Sequence, residues 1–388
     1  MNLRRYLTVA FLSASLIGLE LVWTRIFSAE FYYTFSFLIL SLAIMGLGMG
    51  SLFVRLFRKL SNIKFVSSYI ALAAIFALIS PVIIFKLNLN FATLFTEFKT
   101  VLKFLLSIVL LSSSFFFGGM SLAIIFKTNS KDIPRLYMVD LVGAGLCVAV
   151  TIILMNVAGT QSATFLISLP LIAAAFLASG KKYLSAIPVL LFIFLIGKAD
   201  SLVESGRQER APVMYKHWDA MAKIKLYDYG ETYRGLNIDN IANSGVVAFD
   251  GNFDNPDLQG WDIDVKNLID RFDGCTFLSL GAGGGMDVLQ ALVYGATEVH
   301  AVEVNPHINK MLTKGDISGY IIPDSIENKE EFEIITCNDF TGNLYNDPRV
   351  KVVSEDARTY IRRFENKFDV IYSLSSNTWA ALGSGSFA

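Results

Sequence analysis

The chain has 388 residues, of which 53% are hydrophobic, and its mean hydropathy of +0.50 is too high for an ordinary soluble enzyme. Charge is divided unevenly, because residues 1–199 contain 16 Lys+Arg and 5 Asp+Glu, whereas residues 200–388 contain 17 and 29. The acidic second half would repel phosphate backbones, so we expect no nucleic-acid partner. Of the three cysteines, Cys147 lies inside an apolar run and Cys275 and Cys337 are far apart in sequence, so we expect neither a disulfide framework nor a structural metal site of CxxC spacing.

Apolar runs separated by short basic segments make up the first half. Helices of about 17 to 25 apolar residues are long enough to cross a bilayer. Seven runs approach or reach that length: Tyr6–Phe27, Phe31–Phe53, Phe65–Phe85, Val101–Phe126, Leu136–Ala158, Gln161–Ala178 and Tyr183–Gly197. We therefore predict a multi-span α-helical membrane domain of about seven helices over residues 1–199, with the lipid bilayer as a partner. Met1–Phe27 is interpreted as a retained span rather than a signal peptide, because no small-residue cleavage site follows.

Basic residues are concentrated on one side of these runs. That side holds Arg4, Arg5, Arg55, Arg58, Lys59, Lys64, Lys127, Lys131, Arg135, Lys181 and Lys182. The positive-inside rule places it in the cytoplasm. Seven spans would then put residue 200 outside the cytoplasm, whereas an interfacial or re-entrant Tyr183–Gly197 would leave it inside.

Several polar or small residues lie inside the apolar runs. Glu20, Arg25 and Asp140 either line a transport or proton path or pair with neighbouring helices, and pairing is the favoured interpretation. Gly46 and Gly50 form a GxxxG motif, which is typical of close helix packing.

A change in composition follows the membrane half. Residues 200–211 are polar and indicate a linker. Residues 212–260 alternate apolar and polar side chains and are interrupted by Gly230, Gly235 and Asp250–Gly251, a pattern typical of short antiparallel strands. We predict a small β-rich cap there, of a kind that can supply substrate contacts.

A glycine-rich turn follows a short apolar strand in residues 261–388. The strand Thr276–Leu280 leads directly into Gly281-Ala282-Gly283-Gly284-Gly285, and Met286–Tyr294 then has the pattern of a helix. Such a turn lets the backbone approach a ligand closely and directs helix N–H groups at it. No Gly-Lys-Ser/Thr follows, which argues against a simple phosphate-binding loop.

Acidic residues follow the next two predicted strands. Glu303 lies near the end of the predicted strand Glu298–Val304 and stands 22 positions after Gly281, close to the separation of about 20 at which a carboxylate accepts ribose hydroxyls in nucleotide-binding folds. Asp356 follows the strand Val350–Ser354, where it can accept a hydrogen bond from an adenine amino group or cap the next helix. We therefore predict a site for an adenosine-containing ligand, with Gly281, Gly283, Gly285, Glu303 and Asp356 as binding residues.

A fourth apolar strand, Phe368–Leu374, completes an alternation of strands and helices. This pattern is that of a parallel sheet covered on both faces. We predict an α/β Rossmann-like domain over residues 261–388, of the type found in S-adenosylmethionine-dependent transferases. An apolar fourth strand left as an open edge leads us to expect an incomplete domain that continues beyond Ala388 in a longer protein.

These motifs resemble the spermidine synthase family, the polyamine aminopropyltransferases. The resemblance covers Met214–Ser376 and is carried by LGAGGGMDVLQAL, VHAVEVNPHI, DPRVKVVSEDARTYI and FDVIYSLSS. GLELVWTRIFS at Gly18–Ser28 is similar to the membrane-fused branch, in which several spans precede a synthase-like domain. The resemblance implies that Gly281–Gly285, Glu303, and Asp356 with the small Ala357 hold S-adenosylmethionine or its decarboxylated form as co-substrate.

Two places depart from the family's pattern. The family's glycine turn carries an aspartate that contacts substrate, where this chain has Gly284. The family's fourth strand ends in an Asp-Ser-Ser-Asp-like sequence, where this chain has Leu374-Ser375-Ser376-Asn377. The first of those aspartates assists deprotonation of the attacking amine, which leucine cannot do. The catalytic residue is therefore unassigned, with Ser375 and Asn377 as candidates. The cap residues that can compensate for the lost carboxylates are Asp250, Asp254 and Asp257.

The resemblance implies a membrane-bound spermidine synthase-like transferase of polyamine biosynthesis, which moves an aminopropyl or methyl group to a small amine or polyamine without a metal. The alternative is a transporter or sensor with a non-catalytic nucleoside- or polyamine-binding domain, which the missing aspartates favour. A dehydrogenase is a third interpretation, because a glycine turn with a distal acid also serves a dinucleotide. Adenosyl donors are held in the cytosol, so we expect a multi-pass inner-membrane protein with a cytoplasmic soluble domain. A homo-oligomer is expected from the family.

Overall fold

The computed structural model describes residues 2–31, 34–178, 183–204, 209–258, 263–322 and 333–373. The chain divides into two compact units. The first contains residues 1–208 and Trp218–Ala220, and the second contains residues 209–217 and 221–388. The predicted borders of a linker, a cap and a nucleoside-binding domain stay predictions.

Long apolar helices make up most of the first unit. Its helices are α1 (Asn2–Glu30), α2 (Thr34–Leu56), α3 (Val66–Leu87), α4 (Phe98–Thr128), α5 (Ile133–Leu166), α6 (Leu169–Leu177), α7 (Ala186–Ile196) and α8 (Ala199–Val203). Within the described ranges, five helices, α1 to α5, are long and apolar enough to cross a membrane. The helical, membrane-type character of this half is thus confirmed, with five long helices where about seven were expected.

The last two predicted spans are the ones that differ. Gly159 has φ 77° and ψ 151°, which breaks α5 and leaves only a short helical piece up to Leu166. The nine-residue α6 follows, with Pro170 in its first turn. The segment Tyr183–Gly197 contains the eleven-residue α7, which at about 1.5 Å per residue covers only half of a hydrocarbon core of about 30 Å. Hydropathy alone does not register such helix breaks.

Glycines bring α2 and α4 into close contact. A Cβ added at Gly50 would lie 2.2 Å from the carbonyl oxygen of Phe116, and one added at Gly46 would lie 2.8 Å from that of Ser112. Gly119 on α4 approaches the backbone of Leu47 in the same way. The GxxxG motif therefore serves close helix packing, as its spacing predicted.

We expect Gly50→Leu to destabilise the first unit, because its side chain would overlap the α4 backbone. Overpacking of this kind costs roughly 1–3 kcal/mol. Gly48→Leu is the matched control, since no atom of the described part of the chain lies within 4 Å of a Cβ at Gly48 on the same helix. Thermal unfolding of the detergent-solubilised chain should show a lower midpoint for Gly50→Leu only; equal midpoints for the two variants would contradict the packing argument.

Ionisable residues of the first unit contact other parts of that unit. Ser13 on α1 donates a hydrogen bond to the carboxylate of Asp140 on α5. Arg25 is buried, and its guanidinium carbon lies 5.7 Å from the centroid of the Trp218 ring. Pairing, rather than a transport path, is therefore the interpretation that the contacts of Asp140 and Arg25 favour.

The second unit begins with four antiparallel strands. They are β1 (Val213–Trp218), β2 (Lys223–Asp228), β3 (Tyr233–Ile238) and β4 (Ala242–Val247), and they neighbour one another in chain order. The β3–β4 turn includes Asp239 and Asn240 at φ 53° and 62°, a conformation that short polar residues tolerate. This sheet confirms the predicted strand-rich segment and is called the meander below.

A parallel sheet follows the meander. Its strands are β5 (Thr276–Leu280), β6 (Glu298–Val302), β7 (Val350–Val353) and β8 (Val370–Tyr372), and the helices of this part are α9 (Ile263–Ile269), α10 (Met286–Val293), α11 (Pro306–Lys314), α12 (Cys337–Phe340) and α13 (Ala357–Arg363). Among the described residues the strand order is β7-β6-β5-β8, with every neighbouring pair parallel. The predicted parallel sheet is confirmed.

The chain changes direction at β5. It steps outward from β5 to β6 and β7 and then returns to β8 on the opposite side of β5. Val288 of α10 and Ile308 of α11 share one core with Phe277, whereas Tyr360 of α13 packs with Leu278 in a separate cluster. Because neighbouring residues of a strand point to opposite faces, helices cover both faces of the sheet. Ligands of open α/β sheets bind at the carboxyl ends of the strands near such a reversal.

Candidate functional site

The glycine turn between β5 and α10 has a left-handed backbone at alternate residues. Gly281, Gly283 and Gly285 have φ values of 74°, 49° and 85°, a region that glycine enters without a steric penalty. The amides of Gly281 and Ala282 both donate to the carbonyl oxygen of Val302, at 2.8 and 3.1 Å. The turn is therefore fastened to the carboxyl end of β6.

Strand β4 of the meander lies against this turn. The amide of Gly284 donates to Ser244 Oγ at 2.8 Å. A Cβ at Gly284 would lie 2.3 Å from the carbonyl oxygen of Gly245. No side chain fits at position 284 while β4 stays in this place, so the space next to the turn is occupied by backbone.

A buried tyrosine supports the turn from the segment before β7. Tyr345 is 2% exposed, and its hydroxyl donates to the carbonyl oxygen of Gly283 at 3.2 Å. A Cβ at Gly285 would lie 2.4 Å from the Tyr345 ring. Burial, followed by the nearby carboxyl groups of Asp287 and Glu303, raises the pKa of Tyr345, so its hydroxyl keeps its proton and donates.

Glu303 lies at the carboxyl end of β6 beside the turn. It is 6% exposed, its Oε2 accepts from the amide of Gly283 at 3.2 Å, and its Oε1 accepts from the amide of Asn305 at 2.9 Å. Burial raises the pKa of the Glu303 carboxyl, and hydrogen bonds from the backbone amides of Asn305, Gly283 and Val304 oppose that rise. The structure thus brings Glu303 and the glycine turn together into one polar site.

Asp356 follows the end of β7, where it caps α13. Its Oδ1 accepts from the amide of Thr359 at 3.0 Å and from the Thr359 hydroxyl at 3.2 Å. Helix capping, one of the two roles considered for this residue, is therefore present in the structure. Asp356 is half-buried, and Ala357 is the first residue of α13.

Val304 is an apolar residue at the site that the sequence analysis did not select. It stands between Glu303 and Asn305 and is 48% exposed. An exposed aliphatic side chain beside a buried carboxylate can offer an apolar surface to a planar base. Ser244 and Tyr345 were also missed, and no local motif marks either of them.

Several residues selected from the sequence contribute no described site contacts. Ser375 and Asn377 lie outside the described residues, as does Leu374. Asp250, Asp254 and Asp257 are exposed in the loop after β4, where the Asp250 side chain accepts from the amide of Asn252. Within the described ranges, no group of three or more His, Cys, Asp or Glu side chains is arranged to hold a metal ion.

No protein-family model, curated protein or solved structure matches the chain. Three features define the site: the left-handed glycine turn, the buried carboxylate of Glu303 and the Asp356 cap of α13 just after β7.

The raised pKa of Glu303 predicts a pH dependence. As the pH falls through that pKa, the carboxyl takes up a proton and loses the charge with which it would hold a diol, so affinity for an adenosine compound should decrease already above pH 4.5, the ordinary glutamate value. The free energy of unfolding of the chain without ligand has the opposite dependence on pH. Glu303 stabilises the folded chain fully below pH 4.5, and this stabilisation is lost as the pH rises through the raised pKa. Calorimetric titration at several pH values measures the affinity for methylthioadenosine. An affinity that does not change with pH would contradict this prediction.

Proposed function

We propose that the second unit binds the adenosyl group of S-adenosylmethionine or decarboxylated S-adenosylmethionine. The chain would act as a membrane-bound, spermidine synthase-like transferase that moves an aminopropyl or methyl group to a small amine or polyamine. The observation that carries this proposal is the buried Glu303 carboxylate, held by the amides of Gly283 and Asn305 where the glycine turn meets β6.

The chemistry of that carboxylate suits a ribose. Each carboxylate oxygen has two acceptor positions, so Oε1 and Oε2 can each accept a hydroxyl in addition to their backbone amide. Both hydroxyls of a ribose would then form charge-assisted hydrogen bonds, which are the stronger kind. A lone phosphate would be repelled by the same carboxylate.

The surroundings of Glu303 suit an adenine. Val304 offers an exposed aliphatic surface at the end of β6. The second oxygen of Asp356, which does not take part in the two capping bonds of Oδ1, can accept from an exocyclic amino group. The strand order β7-β6-β5-β8 supports the Rossmann-like interpretation, because in such sheets nucleotides bind at the carboxyl ends of the strands beside the reversal.

A second function is a sensor or transporter in which the nucleoside or polyamine is bound but not transformed. The filled space at Gly284 favours it, since the turn cannot carry the carboxylate that spermidine synthases use to contact substrate. Alkyl transfer from a sulfonium to an amine needs the amine neutral and aimed, and no described residue is assigned that task.

Two measurements on the full chain in lipid nanodiscs test these functions. Isothermal titration should detect saturable binding of methylthioadenosine and of one S-adenosyl donor, and no comparable binding of NAD⁺. Absence of binding by all adenosine compounds would overturn the proposal, and preference for NAD⁺ would favour a dehydrogenase. Mass spectrometry with labelled donor and candidate polyamines then separates the two functions, because a sensor binds without forming product.

A further inference from the structure

Asn309 lies on α11 and is 5% exposed. Its side-chain nitrogen reaches two neighbouring strand ends at once. Nδ2 donates to Ser354 Oγ at 2.8 Å and approaches the carbonyl oxygens of Val353 at 3.3 Å and Glu303 at 3.4 Å. One amide group therefore connects the carboxyl end of β6, where Glu303 lies, with the segment between β7 and Asp356.

The other half of this amide is unsatisfied. Asn309 Oδ1 is buried and has no hydrogen-bond partner among the residues that the structure describes. Leaving a buried acceptor unpaired is unfavourable, and an aliphatic side chain would fill the same place without that penalty. The bonds donated by Nδ2 are thus the structural reason for an asparagine at this position.

The start of α11 is itself fixed to the site. Asn305 caps the helix through its side chain, which accepts from the amide of His307 at 2.8 Å, and its own amide donates to Glu303 Oε1. Asn309 lies one turn further along the same helix. The helix is therefore anchored to Glu303 at Asn305, and Asn309 extends that anchor to Ser354, two residues before Asp356.

We infer that Asn309 is a positioning residue that fixes the separation between Glu303 and Asp356 and thereby gives the site its preference for adenine over other bases. This inference rests on the proposed adenosyl binding. Asn309 would touch no ligand atom and would act through the segment that carries Asp356. Ribose binding by Glu303 would be independent of the Ser354 contact.

The test compares three ligands, methylthioadenosine, methylthioinosine and methylthioribose, by titration calorimetry on the full chain in nanodiscs. Asn309→Leu should weaken methylthioadenosine about tenfold, as expected for the loss of well-placed hydrogen bonds, and leave methylthioribose and methylthioinosine, whose base has no amino group for Asp356 to bind, nearly unchanged. Ser354→Ala removes the same 2.8 Å bond from an exposed position, so it keeps the test valid if Asn309→Leu folds poorly. Thr313→Val is the matched control, because its hydroxyl donates within α11, to the carbonyl oxygen of Asn309.

A double variant separates positioning from general damage. Asp356→Asn keeps a capping side chain and removes the charge that would face the base. If Asn309 acts through Asp356, combining Asn309→Leu with Asp356→Asn should weaken methylthioadenosine no more than Asp356→Asn alone. Additive losses, or equal losses for methylthioadenosine and methylthioribose, would overturn the inference while leaving the proposed function intact. A wild-type chain that binds neither compound would overturn both.

Discussion

Replacing Glu303 with glutamine should weaken the binding of methylthioadenosine at least 100-fold. The glutamine amide has one acceptor oxygen, whereas the carboxylate offers one oxygen to the amide of Gly283 and the other to that of Asn305. The NH₂ group of the glutamine would also face a backbone N–H, and because both groups are donors, no hydrogen bond could form between them. Hydrogen bonds to a charged group contribute about 1.5–3 kcal/mol each, so losing two reduces affinity by at least about two orders of magnitude.

Glu298→Gln provides the control for that experiment. Glu298 lies at the opposite end of β6, where Lys351 and His300 hold the pKa of its carboxyl below the ordinary value. The same change of side chain is thus made on the same strand, away from the site. Titration calorimetry should show wild-type affinity for Glu298→Gln, and a Glu303→Gln variant that also binds normally would remove Glu303 from the proposed site.

Replacing Gly284 with aspartate, the residue that spermidine synthases carry in this turn, should lower the stability of the second unit and should not increase transfer activity. The new Cβ would meet the carbonyl oxygen of Gly245, and the carboxylate would approach that same oxygen, which carries partial negative charge. Overpacking against backbone costs roughly 1–3 kcal/mol, and desolvation of the charge adds to it. Gly284→Asp should therefore melt at a lower temperature and show no gain in aminopropyl transfer.

Asn252→Asp is a suitable control, because it adds a carboxylate to an exposed position in the loop after β4 without adding bulk to the turn. Differential scanning fluorimetry of both variants measures the stability difference, and mass spectrometry with labelled donor measures transfer. A stable Gly284→Asp variant with increased transfer would mean that β4 moves aside readily and that the site is closer to a spermidine synthase than its geometry indicates.

Local patterns were sufficient to predict much of the second unit. The strand Thr276–Leu280 has the predicted bounds, and the helix after the glycines ends within one residue of its expected position. A buried strand followed by clustered glycines leaves few alternatives, because the left-handed residues have to be glycines. The spacing between Gly281 and Glu303 likewise follows from one strand–turn–helix–strand step, so their meeting at one strand edge was predictable.

Contacts between distant segments could not be predicted in this way. Ser244 reaches the glycine turn from 40 residues upstream, and Tyr345 reaches it from 62 residues downstream. Neither residue belongs to a sequence motif, because its contact with the turn depends on how distant segments of the second unit pack together. The membrane half shows the same limit, because hydropathy recognised the apolar runs but not the helix break at Gly159 or the shortness of α7.

The hydrogen bond between Ser244 and the amide of Gly284 also couples the local opening of β4 to the binding of a ligand at the glycine turn. Strand β4 cannot open locally without breaking this bond to the turn that would hold the nucleoside. A ligand that binds only the closed turn therefore makes fraying of β4 less favourable, by an amount that grows with its concentration relative to its dissociation constant. Amide hydrogen exchange along β4 should then be slower when a ligand is bound, whether or not the meander contacts a substrate.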